Sequence, residues 1–135
     1  MRQEFLILAE AAEVANGKIF IHGGCVERHR AGGFPTALTA DIATSVLVGW
    51  AETNQPHVLQ LRIVNEDEQP IAEIKAEFTP GRPSGAMLGQ DLRHLFALKG
   101  PFPIESPGQY KVEAFLDGEL QQPPFRFWVE LAPAG

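Results

Sequence analysis

The stretch Glu105-Ser-Pro-Gly-Gln-Tyr110 leads into Lys111-Val-Glu-Ala-Phe115-Leu116, turns at Asp117-Gly118, and ends on Phe125-Arg-Phe127-Trp-Val129-Glu-Leu131. A Pro-Gly turn feeds a strand that opens on Tyr110. Asp-Gly suits a two-residue hairpin turn, in which both central residues take positive φ. The alternation that follows predicts a second strand. The stretch therefore points to an antiparallel, all-β chain.

Working outward, Ile71-Ala-Glu-Ile-Lys-Ala-Glu-Phe78 places Ala72, Ile74, Ala76 and Phe78 on one face and Glu73, Lys75 and Glu77 on the other. That is period two with one wet face. Residues 57–64 put Leu59, Leu61 and Ile63 on one face. The polar linker Asn65-Glu-Asp-Glu-Gln-Pro70 predicts a hairpin between these runs. Further strands are expected over 41–50, 18–22 and 91–99. At the N-terminus, Ala9-Glu-Ala-Ala-Glu-Val-Ala15 has high helix propensity, so a helix reaching residue 15 competes with a strand from residue 4 to about residue 11; the strand is favoured. Two irregular stretches, 23–35 and 79–86, are rich in glycine and proline.

About seven or eight strands at regular spacing predict a two-sheet antiparallel sandwich forming one domain over 1–135. A short tail, 132–135, is expected to fray. Tyr110, just after a turn and at the start of a strand, resembles the residue that pins the corner of immunoglobulin-like sandwiches by bonding back to the backbone. The chain as a whole resembles a family of short, uncharacterised bacterial β-sandwich proteins, a domain of unknown function. The likeness rests on Leu8-Ala-Glu-Ala-Ala-Glu13, Gly17-Lys-Ile-Phe-Ile-His-Gly23, Thr53-Asn-Gln-Pro-His57 and Pro107-Gly-Gln-Tyr110. It implies a β-sandwich and supplies no activity, substrate or site residue.

Net charge is −6, from 11 Lys and Arg against 17 Asp and Glu. That argues against a nucleic-acid partner, which normally meets a basic face, and against an anionic membrane surface. The single cysteine, Cys25, leaves no disulfide framework. The apolar run at residues 5–9 is too short for a signal peptide core, and a cytoplasmic protein is the expectation.

No motif of useful specificity for catalysis or nucleotide binding is present, and the sequence leans away from an enzyme. His22-Gly-Gly-Cys25-Val-Glu-Arg-His29 comes nearest to a metal motif. Imidazole and thiolate are zinc donors, and His57, His94 or Glu27 are the candidates for a fourth ligand. Cys25 as a nucleophile with His29 or His57 as its base is weaker, since no protease signature surrounds it. No cofactor is implied unless zinc binds there. A small-ligand pocket near 23–33 and 79–86 is a further reading.

One misfit has functional weight. A two-residue turn at Asp117-Gly118 places Phe115 opposite Leu120 on the face that should be wet, and Trp128 alternates out of phase with Phe125, Phe127, Val129 and Leu131. Phe115, Leu120 and Trp128 are thus expected to form an outward apolar patch, unless a bulge at Gln122-Pro-Pro124 turns Trp128 inward. Such a patch packs under a long loop of the same chain or marks an interface. The leading reading is a non-catalytic β-sandwich module that binds another protein or a second copy of itself through these residues. The alternative is a small metal- or ligand-binding protein using His22, Cys25 and His29.

Overall fold

The computed structural model describes residues 1–133, so the last two residues of the tail expected to fray lie outside the described residues. Within them the chain is all-β. Its strands are β1 (Arg2–Ala15), β2 (Lys18–Gly24), β3 (Arg28–Ala31), β4 (Thr36–Leu38), β5 (Asp41–Val48), β6 (His57–Val64), β7 (Pro70–Phe78), β8 (Leu92–Lys99), β9 (Phe102–Ile104), β10 (Gly108–Leu116), β11 (Glu119–Leu120) and β12 (Phe125–Leu131). A single 3-10 turn spans Trp50–Glu52, and no α-helix occurs among the described residues.

Strands β2-β1-β5-β8 form a four-stranded sheet, β3-β12-β10-β6-β7 with β11 beside β10 form a six-stranded one, and β4 pairs with β9. The expectation of about seven or eight strands in two antiparallel sheets is corrected on three counts: twelve strands, three sheets, and a parallel pairing of β3 with β12. The extra strands β3, β4, β9 and β11 are four residues or shorter. Runs of that length carry no legible alternation.

The contested N-terminus is one long strand. Residues 2–9 pair with β5 and residues 9–15 with β2. Asn16 and Gly17, at φ 53° and 72°, make the tight turn between β1 and β2. Pairing with β2 overrides the helix propensity of the Ala-Glu run. Where β5 begins, β1 loses its second partner, and side chains take over. The Asp41 carboxylate accepts from Ala12 N–H at 2.9 Å, and Lys99 Nζ donates to the Ala12 carbonyl. Burial pushes Asp41 up, but hydrogen bonds from Ala12, Lys99 and Gly100 outweigh it and hold the carboxyl below its ordinary value.

The 57–64 and 71–78 runs form the expected hairpin, Leu61 opposite Ile74. The two larger sheets contribute to one buried cluster, with Leu8, Ile42, Val46 and Val48 from the smaller and Leu59, Leu61, Val112 and Phe127 from the larger. Tyr110 behaves as expected of a corner residue: its hydroxyl donates to the Ser106 carbonyl at 2.5 Å.

Candidate functional site

The outward face of the six-stranded sheet is built by simple alternation. Tyr110, Val112, Ala114 and Leu116 of β10 are buried, so Gln109, Lys111, Glu113 and Phe115 point the other way. Asp117 and Gly118 take φ 48° and 83°, and Phe115 stands opposite Leu120 as a two-residue turn requires. Beyond it, Phe125 stands opposite Val112. The returning strand thus advances five residues, 120 to 125, while β10 retreats three, 115 to 112, an insertion of two. An even insertion leaves the alternation intact. Phe127 is fully buried and Trp128 stays outward.

The three aromatic and aliphatic residues do not share one patch. Trp128 lies opposite Gln109, and Phe115 is six positions further along β10, roughly 20 Å away at the usual rise per residue. Each aromatic ring instead carries an arginine. The Arg62 guanidinium carbon lies 4.6 Å from the Phe115 ring centroid, and that of Arg28 lies 5.5 Å from Trp128. These are cation–π distances. Leu120 is 43% exposed. The glycine-rich stretch after β2 supplies β3, which lies beside Trp128 and brings Arg28 to it.

Between the two aromatic spots runs a charged band. Glu113, only 7% exposed, lies 3.4 Å from Arg62 and 3.9 Å from Lys111. The register places Arg28, Arg30, Arg62, Lys75, Lys111 and Arg126 on this face, six of the chain's eleven Lys and Arg, against Glu73, Glu77, Glu113 and Glu130. From the 65–69 turn, Glu66 and Glu68 reach the same face, lining a hollow with Lys111 and Arg126, and Glu68 pairs with Lys111 at 3.0 Å. The strand residues of this aromatic face thus carry more cations than carboxylates, in a chain of net charge −6.

His22, Cys25 and His29 do not converge, a correction to the metal reading. Among the described residues no three His, Cys, Asp or Glu side chains are grouped so as to hold a metal ion. The cause is the backbone. Gly23 and Cys25 take φ 59° and 62°, which swings the chain out of one sheet and into the other. His22 stays on β2 opposite Ala11, whereas His29 lies on β3 opposite Val129. His29 packs edge-on against Phe127 at 5.7 Å, and burial pulls its pKa down. Its Nε2 is buried without a hydrogen-bond partner. His94 packs at a tilt against Phe78 and Phe96, which also meet each other edge-on, and burial lowers it too.

The two loops proposed to share a ligand pocket line different hollows. Val26, His29, Thr36 and Thr39 border one of about 360 Å³, while Pro80, Gly81 and Pro83 border another of about 270 Å³. Sequence reasoning missed the hydrophobic exposure on the first hairpin, where Val14, Phe20 and Ile21 are 43%, 53% and 39% exposed. The apolar run Ile19-Phe-Ile21, which lacks alternation, was the available signal. It also missed the exposed tip Met87-Leu88, for which no periodic signal exists.

Residues 4–126 match the family model described as Family of unknown function (DUF6941), and the chain belongs to that family. No curated protein matches the sequence.

Proposed function

We propose that this member of the DUF6941 family is a non-catalytic module that binds another protein through the outward face of its six-stranded sheet, with Trp128, Phe115 and Leu120 as the apolar contacts. The observation that carries the reading is the arginine laid over each of two aromatic rings on a face whose strand residues carry more cations than carboxylates, in an acidic chain. Arginine and aromatic residues are enriched where interface energy concentrates. Arg62 already meets Glu113, and Arg28 lies 3.9 Å from Glu130, whereas no carboxylate of the described residues pairs with Arg126 or Lys75, which leaves those two cations for a partner. The fitting partner is therefore an acidic protein surface.

The same proposal takes the architecture to be an immunoglobulin-like sandwich. It is supported by the shared core of the two larger sheets and by the Tyr110–Ser106 bond at the corner. A cytoplasmic location is consistent with an exposed free thiol at Cys25.

The test is a comparison of wild-type, Trp128→Ala and Arg126→Glu proteins as baits, followed by affinity measurement with the purified captured partner. Binding is expected to weaken at least about tenfold in each variant and to fall with added salt. A partner that binds all three equally overturns the reading.

A further inference from the structure

We infer that the free edge of β2 is a self-association site, at which a second copy of this chain adds its own β2 in antiparallel register. β2 is the outermost strand of the four-stranded sheet, paired with β1 on one side only. The turn at Asn16-Gly17 makes Ala15 and Lys18 the first cross-strand pair, so alternate residues beyond it, Ile19 and Ile21, point their N–H and C=O groups away from β1. Another extended backbone completes such a row.

Edge strands are ordinarily blunted by charge, proline or shortness. The edges of the six-stranded sheet fit that rule. β7 opens on Pro70 and carries Glu73, Lys75 and Glu77; β3 has four residues, with Arg28 and Arg30. β2 carries a single charge, Lys18 at its first residue, and none beyond it. From Ile19 to Val26 there is no Asp, Glu, Lys or Arg, in a chain that is 21% charged. Phe20 and Ile21 lie exposed on opposite faces of the strand.

Two features select a second copy as the occupant. A two-fold axis through Phe20 sets Ile19 of each copy opposite Ile21 of the other and the two Phe20 side chains opposite each other, so every apolar side chain of the edge gains an apolar neighbour. The uncharged run also lets two copies of net charge −6 approach with the least repulsion. A strand-edge contact is small against the roughly 1,200–2,000 Å² of a standard stable interface. A dimer with a dissociation constant on the order of 10 µM is therefore expected. This site is separate from the face proposed above.

Sedimentation velocity over about 1–300 µM, with amide exchange at both ends of the range, tests it. Wild-type protein is expected to pass from monomer to dimer, with exchange at Ile19 and Ile21 slowing as it does. Ile21→Pro removes an outward donor without touching the β1–β2 ladder, and Phe20→Lys, at an exposed position, covers the case in which the proline variant fails to fold. Each is expected to weaken the dimer at least about tenfold, and Trp128→Ala to leave it unchanged. A monomer throughout, a dimer indifferent to Phe20→Lys, or a dimer dissolved by Trp128→Ala overturns the inference.

Discussion

His57 Nδ1 lies 2.7 Å from the Asp117 carboxylate, joining the first residue of β6 to the turn of the C-terminal hairpin. The other ring nitrogen meets the Glu52 carbonyl at 2.6 Å, and Asp117 also accepts from Val58 N–H at 2.8 Å. With both ring nitrogens facing acceptors, the charged imidazolium is the form that satisfies the site. Burial works against it, but the Glu52 carbonyl and Asp117 outweigh burial and hold His57 above its ordinary pKa. The Val58 N–H and His57 hold Asp117 below its own, against burial.

The pH dependence follows. The raised His57 contributes stability that is full below 6.5 and is lost as pH rises through its folded value. The depressed Asp117 contributes stability present above 3.8 and lost as pH falls through its folded value. The thermal stability difference between wild type and Asp117→Asn is therefore expected to be largest between those values and to shrink above neutrality. A difference that goes on growing above neutrality sinks this account.

Asp117→Ala removes bonds to a charged ring and to a backbone donor, and replaces a residue suited to φ 48°. The carboxylate is 46% exposed, which moderates the loss. A destabilisation of about 1–2 kcal/mol is expected in urea unfolding. A double-mutant cycle with His57→Ala should show the two effects to be non-additive.

Phe127 and Trp128, adjacent in sequence, are expected to respond oppositely. Phe127→Ala empties a fully buried site and costs about 3–5 kcal/mol. Trp128→Ala, on the outward face, is expected to cost less than about 1 kcal/mol while weakening partner binding. Equal losses of stability would place Trp128 in the core.

Gly100→Ala is expected to be the most damaging glycine substitution. A Cβ there would come within 2.3 Å of the Ala40 carbonyl oxygen, a backbone atom with no freedom to move aside. A loss above about 2 kcal/mol is expected, against less than about 0.5 kcal/mol for Gly32→Ala, which meets nothing within 4 Å. Chemical denaturation of the two variants distinguishes them.

Glu4 accepts from Arg93 at 2.6 and 2.5 Å and from Ser45 at 2.9 Å, and the arginine leads in pushing its pKa down to about 2. Carbon-detected carboxyl titration is expected to find that depressed midpoint and to see it return toward 4.5 in Arg93→Ala. An unchanged midpoint in the variant would assign the shift to Ser45 and Arg2.

Much of the fold was legible because alternation reports burial directly. β6 and β7 show it as period two, β10 and β12 as period two broken by Phe115 and Trp128, and Asp117-Gly118 carries its turn conformation in its residue types. The short strands were invisible for want of length. Parity favoured an outward Trp128 but left a bulge at 122–124 open, which only the even insertion between Leu120 and Phe125 settled; its Arg28 neighbour was not legible at all, since that contact depends on a parallel strand brought in by the glycine-rich stretch.

By itself the sequence determined the all-β class, the two hairpins flanking residues 65–69 and 117–118, and which side of β10 faces the core. These follow from local sterics and from periodicity, which act over a few residues. Only the tertiary structure decided that His22 and His29 belong to different sheets, that Phe115 and Trp128 stand at separate ends of one face, and that His57 meets Asp117 across 60 residues. Those relations depend on strand order and register, which long-range pairing sets and local sequence does not encode.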